Sequence, residues 1–415
     1  MDSYAKPVRQ RGSPVGRLIL SLLIVACWTS MVSAAKTDVA AGNNAISTAL
    51  AAASAGDTLV LVTDGGVYNE DLTLVVDKAI TIQAAAGLTD PPVWTCDHPS
   101  RQITLDADLT LDGIIFDGSA NDSLTTDCIR STTTAGIDLR VYNCVFRNFS
   151  NGAAEPDGHA IKGGTGTRMD SVVVTNTLFE HMPGEHISFK DEDVSIAPGS
   201  AKYLRIENCT FWDGGNEAFY IQAHDAISAG TPDPEVFVNH VTVVDMGSKA
   251  LYPNTCDNAV IKNSIVAYSS SGEYACRIYG TGSVVENFLY YACPDSIGLE
   301  DGATADQLIN VLREKNPLFV DPENGNFDLY ANSPAVGAAT GGADLGDPRW
   351  DVLTAAGYTL TVATVGSGSV TLDPAGTVFA SGTQVSLTAV PETGWEFAGW
   401  SGDVTSTENP VTVTV

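Results

Sequence analysis

Positive charge is scarce in this 415-residue chain. It holds 21 Lys and Arg residues against 50 Asp and Glu residues, for a formal net charge of −29 at pH 7. Nucleic acids and anionic lipid surfaces are bound mainly by clustered Lys and Arg. The composition therefore argues against both as partners. It does not exclude an acidic polymer that meets a local cluster of cations.

Long apolar runs are missing as well. The run "LILSLLIVACW" follows a basic segment that contains Lys6, Arg9, Arg11 and Arg17, and it precedes "VSA" at residues 32–34. This order is typical of a signal peptide, and the run is too short to span a bilayer comfortably. We predict a signal peptide over residues 1–34, export to the medium or the cell surface, and no membrane span. An uncleaved anchor is the alternative.

Several motifs that mark common sites are also missing. The seven cysteines that follow Cys27 are scattered, without a CxxC pair, and the sequence contains no G-x-S-x-G and no D-x-D-x-D-G loop. His159, His186 and His224 do not belong to any Cys/His metal pattern. Zinc and serine-hydrolase sites are therefore unsupported. Because the cysteines lie in apolar runs, we expect small core residues with at least one free thiol.

A repeated motif dominates the middle of the chain. Its form is apolar-x-Asn-x-x-aromatic or Val, as in "VYNCVF", "VTNTLF", "IENCTF", "IKNSIV" and "VENFLY". With two degenerate copies, its third positions are 113, 143, 176, 208, 240, 263 and 287. Short strands that repeat every 23 to 33 residues bury their inner face by stacking on neighbouring copies. The pattern predicts a parallel β-helix of about eight to ten coils, with an asparagine ladder in one turn.

Both ends of this region are similar to known β-helix ends. "NNAISTALAAASAGDTLVLV" (43–62) resembles the helical cap that covers the first coil of right-handed β-helices, and "NPLFVDPENGNFDLYANSPAVGAA" (316–339) resembles their closing segment. We therefore predict an all-β protein with a right-handed, single-stranded parallel β-helix over residues 36–350 and an N-terminal helical cap. We expect a monomer.

The pattern of apolar and polar residues changes after residue 350. Residues 358–415 alternate apolar and polar positions, with "GTQVSLTAVP" and "GWEFAGWSGD" at the centre. This segment resembles a divergent internalin-type B-repeat, a small β-grasp-like domain of cell-surface proteins. We predict such a domain over residues 351–415. Its family's usual last strand would follow Val415, so we expect either a fragment or a domain without that strand.

Two neighbouring segments place polar side chains on one face of the β-helix. "GEHISFKDED" (184–193) and "NEAFYIQAHD" (216–225) align at an interval of 32 residues. Side chains alternate faces along a strand, so Ile187 and Phe189 should face the core and Lys190 the outside. We extend this outer face over neighbouring coils and predict a substrate-binding surface of Lys162, His186, Tyr220, Gln222, Tyr252 and Asn254, with Arg277 farther along. An ordinary solvated sheet face is the alternative.

The segments "EHISFK" and "LRIENCTFWDGGNEAFYIQ" resemble the active-site coils of polysaccharide lyase family 6, the alginate and dermatan lyases. In that family a Glu five residues before a Lys binds calcium, and the Lys is the catalytic base. The resemblance implies these roles for Glu185 and Lys190. Asp191 and Asp193 offer further hard oxygen ligands for calcium, although acidic loops are usually just solvated. The family's assisting Arg is replaced by Gln222, which makes Arg277 the candidate for a second catalytic residue.

Two functions follow from these observations. The first is a secreted lyase that cleaves a uronate-containing acidic polysaccharide by β-elimination. The second is a non-catalytic surface protein that binds or adheres to such a polysaccharide. The B-repeat-like segment is compatible with both.

Overall fold

The computed structural model describes residues 34–96, 101–120, 126–133, 136–150, 158–164, 167–189, 200–222, 234–269 and 274–415. Residues 1–33, which include most of the predicted signal peptide, lie outside this set. Within these described ranges, no helix is both long and apolar enough to cross a membrane. Residues 34–415 form one compact unit.

Two large parallel sheets build the body of the molecule. The nine-stranded sheet, which we call the site sheet, consists of Leu74–Val76, Arg101–Leu105, Asp127–Ser131, His159–Gly163, Ile187–Phe189, Phe219–Gln222, Leu251–Asn254, Tyr274–Tyr279 and Asp295–Glu300. The second, 17-stranded sheet consists of Lys36–Val39, Gly42–Asn43, Thr58–Leu61, Val67–Glu70, Ile80–Ala84, Val93–Cys96, Leu109–Asp112, Ile115–Asp117, Asp138–Tyr142, Val145–Arg147, Arg168–Thr175, Leu178–Met182, Ser200–Gly214, Glu235–Met246, Ala259–Ala267, Val284–Tyr291 and Leu308–Arg313. Each coil passes through both sheets in turn. The predicted parallel β-helix is thus confirmed.

The repeated Asn marks a sharp turn within each coil of the second sheet. All seven predicted positions have a left-handed backbone, with φ between 50° and 74°, and Asn310 extends the series with φ 52°. Asn and Gly tolerate this conformation better than other residues. The side chains form the predicted ladder: Asn176 donates to Asn143 and accepts from Asn208, both at 3.1 Å. The bonds run from side-chain amide to side-chain amide.

Aromatic rings stack inside the β-helix at another repeated position. Trp94, Phe116, Phe146, Phe179 and Phe211 lie on successive coils, and neighbouring ring centroids are 4.6 to 5.4 Å apart. All five side chains are fully buried. Because the coils are in register, one aromatic residue per repeat yields a continuous ring stack. The seven cysteines from Cys96 to Cys293 are free and buried, as predicted for small core residues.

A short helix, Ala45–Ala52, covers the first coil, as predicted. Its Ile46 and Leu50 are buried against the first strands. The carboxylate of Glu70 accepts the backbone N–H of Ile46 at 2.9 Å, and the Lys78 ammonium donates to the carbonyls of Leu50 and Ala53. Side chains from later coils therefore satisfy both ends of the cap.

The parallel strands end at Arg313, and the closing segment folds differently. Phe319–Asp321 and Asn326–Leu329 form an antiparallel pair of strands. Short 3₁₀ turns occur at Ala305–Gln307, Pro322–Asn324 and Thr340–Gly342, and another occurs earlier in the chain at Gly118–Ala120. Residues 340–350 then run back across the coils. Asp347 accepts a hydrogen bond from Thr210, and Arg349 donates to the Thr177 carbonyl. This segment therefore ties several coils together.

Residues from 357 onward are antiparallel. Gly357–Thr359 pairs with Val378–Ala380, and Gly368–Asp373, Gln384–Pro391 and Val411–Thr414 form a three-stranded sheet. Phe379, Val385, Leu387 and Val413 form its small apolar core. The predicted C-terminal β-rich part of the fold is confirmed.

We predict that Asn176→Ala lowers the free energy of unfolding by about 3–4 kcal/mol. The variant loses two ladder hydrogen bonds, each worth about 1 kcal/mol, and places an alanine in left-handed backbone, which costs a further 1–2 kcal/mol. Chemical denaturation measures the change. Asn176→Gly is the matched control, because glycine accepts the backbone conformation and isolates the loss of the two bonds. Wild-type stability of the alanine variant would contradict a structural role for the ladder.

Candidate functional site

A row of outward-facing residues crosses the site sheet, with one residue on each coil. Lys162 pairs with Arg130 and Ser188, and Ser188 pairs with Tyr220, which in turn pairs with Tyr252. The inward neighbours of this row, such as Ile187 and Phe219, are fully buried. Adjacent members are about 4.8 Å apart, the spacing of hydrogen-bonded strands. We call this row, which Arg277 completes one coil further on, the site row.

The tyrosines of the site row form an ordered cluster. Tyr220 and Tyr252 pack with ring centroids 4.6 Å apart, and the Asn254 amide donates to the Tyr220 hydroxyl oxygen at 2.9 Å. The Tyr252 hydroxyl lies 3.2 Å from that of Tyr279. Gln222 and Asn254 pair in register two residues beyond the two stacked tyrosines. The sequence-based alignment of these coils is therefore correct.

Arg277 lies at the far end of this cluster. Cys276 pairs with Leu251, which places Arg277 beside Tyr252, with the guanidinium 5.9 Å from that ring. It also lies over the rings of Tyr274 and Tyr279 and donates to Glu300 at 2.6 Å. Arg277 is three coils from the strand Ile187–Phe189, about 14 Å at the interstrand spacing. It is therefore remote from that strand.

A second column, beside the site row, carries buried charge. Asp127, His159, Glu185 and Glu217 occupy equivalent positions on successive coils, and all four are at most 5% exposed. His159 contacts Asp127 through Nδ1 at 2.9 Å and Glu185 through Nε2 at 2.8 Å. The Lys162 ammonium lies 3.5 Å from the same Nε2. The column thus connects directly to the site row.

The pKa values in this column reflect burial and pairing. Burial alone would lower the pKa of His159, but its hydrogen bonds with Asp127 and Glu185 outweigh that effect and raise it. Burial acts to raise the pKa of Asp127, yet the bond from His159 and the nearby cations lower it. Burial and then the charge of Glu185 raise the pKa of Glu217. Paired shifts of this kind are concentrated at functional sites.

We did not predict Asp127, Asn216 or Glu217 as site residues, and we treated His159 as isolated. The signal was present, because aligning Lys162 with Ser188 also aligns His159 with Glu185. Asn216 donates to Glu185 at 3.1 Å, and Ser248 donates to Glu217 at 3.1 Å. The network is formed by residues at the start of each strand of the site sheet or just before it.

The prediction that His186 faces outward is wrong. Its ring is fully buried and stacks on Phe179 and Phe211, at 6.2 and 5.7 Å. The strand begins at Ile187, so the alternation of faces does not extend back to His186. Among the described residues neither ring nitrogen has a hydrogen-bond partner, and burial lowers the pKa of His186 to about 3. His186 is a core residue and not part of a substrate surface.

The calcium prediction involves residues that the structure describes only in part. Lys190, Asp191 and Asp193 lie outside the described residues. Glu185 is described, and both of its carboxylate oxygens accept hydrogen bonds, from His159 and from Asn216. Within the described part of the chain, no group of three or more His, Cys, Asp or Glu residues is arranged to hold a metal ion. The described residues alone therefore do not fit a calcium site.

The coils build a parallel β-helix, and the site row runs across one of its sheets. Among solved structures, the chain is similar to the PL6 family alginate lyase AlyGC, with 20% identity and a TM-score of 0.50. The match covers 68% of this chain and 39% of that enzyme. An arginine-to-alanine variant of AlyGC matches with 20% identity and a TM-score of 0.51, covering 68% and 40%. The chain therefore shares this fold and spans about two fifths of the enzyme's length.

The C-terminal part has a separate relationship. The family model of the divergent InlB B-repeat domain matches residues 358–415. A search of curated protein sequences found no match. The predicted B-repeat resemblance is thus confirmed over these residues.

We predict that His186→Phe stabilises the protein and changes how its stability depends on pH. Phenylalanine removes two buried nitrogens that lack described partners, which cost about 1–3 kcal/mol each when unsatisfied. Because the pKa of His186 falls from an ordinary 6.5 to about 3 on folding, wild type loses stability as the pH falls through that interval. The stability advantage of His186→Phe should therefore grow by about 2 kcal/mol between pH 7.5 and pH 5.

Thermal or chemical unfolding at the two pH values measures this effect. His181→Phe is the control, because His181 is exposed and paired with Asp213. A His186→Phe protein that is less stable than wild type at both pH values would mean that the His186 ring nitrogens are satisfied by hydrogen bonds.

Proposed function

We propose that this protein is a secreted polysaccharide lyase that cleaves a uronate-containing acidic polysaccharide by β-elimination. The site row is the observation that carries the proposal. In a chain of net charge −29, it brings Arg130, Lys162 and Arg277 onto one face with two stacked tyrosines. Cations attract carboxylates, and aromatic faces pack against sugar rings.

The geometry of the row suits an extended polymer. Its members repeat once per coil, about 4.8 Å apart, so a chain of sugars that lies along the β-helix axis meets one side chain of the row on each coil. The amides of Gln222 and Asn254 lie beside the tyrosines and offer hydrogen bonds to sugar hydroxyls. A binding surface that follows the axis supports a polymeric substrate over a small one.

The reaction removes the proton at C5 of a uronate and expels the sugar linked at O4. Lys190, which the resemblance to family 6 places in this role, is the proposed base. A lysine acts as a base only when nearby positive charge or burial keeps part of it neutral. Lys162 and Arg130 belong to the same face and contribute positive charge, which also favours the carbanion-like intermediate next to the carboxylate.

We predict that Lys190→Ala lowers the rate of polyuronate cleavage on the order of a hundredfold or more, the usual cost of losing a general base. Its effect on stability should stay within about 0.5 kcal/mol if Lys190 lies on the surface. The assay incubates the protein with a panel of alginates and glycosaminoglycans and follows the ultraviolet absorbance of new C4–C5 double bonds.

Lys315→Ala is the matched control, because it removes an exposed lysine from a different part of the chain. If wild type cleaves and Lys190→Ala keeps the full rate, the base lies elsewhere and Arg277 is the next residue to test. If wild type cleaves no uronate polymer, the lyase proposal fails.

Calcium remains a prediction that rests on Glu185, Asp191 and Asp193. If these residues bind the ion, calorimetry at millimolar calcium should detect binding, and chelation should lower both activity and melting temperature. A magnesium titration controls for simple ionic strength. No heat of binding at millimolar calcium would remove the metal from the site and leave Glu185 as a partner of His159.

The second candidate is a non-catalytic polysaccharide-binding protein of the cell surface. The stacked tyrosines support it, and so does the B-repeat match over residues 358–415. In this case a polyuronate in the gel slows the migration of wild type in affinity electrophoresis, and no double bonds form. Lys190→Ala then weakens binding only modestly, since tyrosines and amides share the contact.

A further inference from the structure

Elimination requires a second chemical group besides the base, and this part of the site row lacks an obvious one. The sugar oxygen that departs from C4 is a poor leaving group when it leaves as an anion. A neighbouring acid that gives it a proton therefore speeds the cleavage of the C4–O bond. Gln222 stands at the position where family 6 has its assisting arginine, and an amide does not release a proton at any accessible pH. Arg277 is about 14 Å along the axis from the strand Ile187–Phe189, which precedes the proposed base in the sequence. The inference below rests on the proposed lyase function.

Tyr220 carries a transferable proton next to Gln222. The two residues lie two positions apart on one strand and face the same side, and the Tyr220 hydroxyl donates a long hydrogen bond of 3.4 Å to Oε1 of Gln222. The Asn254 amide donates to the Tyr220 hydroxyl oxygen, so this oxygen already acts as an acceptor on the Asn254 side. The Tyr220 proton is therefore directed away from Asn254.

The position of this phenol is fixed from two directions. Its ring packs on Tyr252 at 4.6 Å, and its oxygen is held by Asn254. The side chain is half-buried, and it lies in register between Ser188 and Tyr252 in the middle of the site row. Tyr252 is less accessible, because it is only 8% exposed.

We propose that Tyr220 is the general acid of the elimination. The base takes the C5 proton, the C5–H electron pair forms the C4–C5 double bond, and the C4–O bond breaks. The departing oxygen takes the proton of the Tyr220 hydroxyl. The resulting tyrosinate regains a proton from water, while the base loses its proton to water. Burial, followed by the charge of Tyr252, raises the pKa of Tyr220 to about 12, so the resting phenol keeps its proton and is available as an acid.

The test compares Tyr220→Phe with Tyr358→Phe in the full chain, after circular dichroism has shown that both are folded. Each variant loses one tyrosine hydroxyl, and Tyr358 is an exposed residue of the strand Gly357–Thr359, which is not part of the site sheet. On a polyuronate that wild type cleaves, Tyr220→Phe should lower kcat on the order of a hundredfold and leave KM within about threefold. Tyr358→Phe should stay within about threefold of wild type in kcat.

A second substrate separates acid catalysis from positioning. A uronide with fluoride at C4 has a leaving group that departs without a proton, so Tyr220→Phe should process it at close to the wild-type rate. Equal kcat of wild type and Tyr220→Phe on the polymer overturns the inference and leaves the lyase proposal intact. A defect that persists on the fluoride substrate also overturns it, because it indicates a positioning role. Failure of wild type on every polyuronate overturns the lyase proposal and this inference together.

Discussion

The parallel hydrogen-bonded register between neighbouring coils is the constraint on which the rest of the structure depends. Each backbone position lies directly above its counterpart on the coil before, about 4.8 Å away. Any residue type that recurs once per repeat therefore becomes a continuous column. The asparagine ladder, the stack of aromatic rings from Trp94 to Phe211 and the site row are three such columns.

The same register also forces unfavourable neighbours together. Glu185 and Glu217 occupy equivalent positions on adjacent coils, both nearly fully buried, and the charge of Glu185 raises the pKa of Glu217. Buried charge is tolerated only with partners. Glu185 has His159 and Asn216, whereas Glu217 has a hydrogen bond from Ser248 and the charge of nearby Lys249. Four buried titratable side chains therefore lie in one column beside the site row: Asp127, His159, Glu185 and Glu217.

The closing segment does not follow the repeat, but its contacts stabilise the repeated coils. Thr210 donates to Asp347 and accepts from the Trp350 indole, both at 2.8 Å, across 137 and 140 residues. Gly346 donates to the Asn263 carbonyl with φ +86°, and a Cβ there would lie 2.5 Å from the Thr242 hydroxyl. The close approach therefore requires glycine. These contacts link the closing segment to the second sheet, in coils that also carry the site row.

The repeats in the sequence determined the β-helix, its turn asparagines and the register of Tyr220 on Tyr252, because equivalent positions of successive repeats lie in one column. The helical cap was indicated by the resemblance of residues 43–62 to known caps. The position of His186 and the network of Asp127, His159 and Glu185 were decided only by the tertiary structure. The coils differ in length, with 32 residues from Asp127 to His159 and 26 from there to Glu185, so a fixed period does not align them. The strand also begins one residue after His186, and alternation of faces holds only within a strand. Burial and charge pairing arise from packing between coils, which a local pattern of residues does not encode.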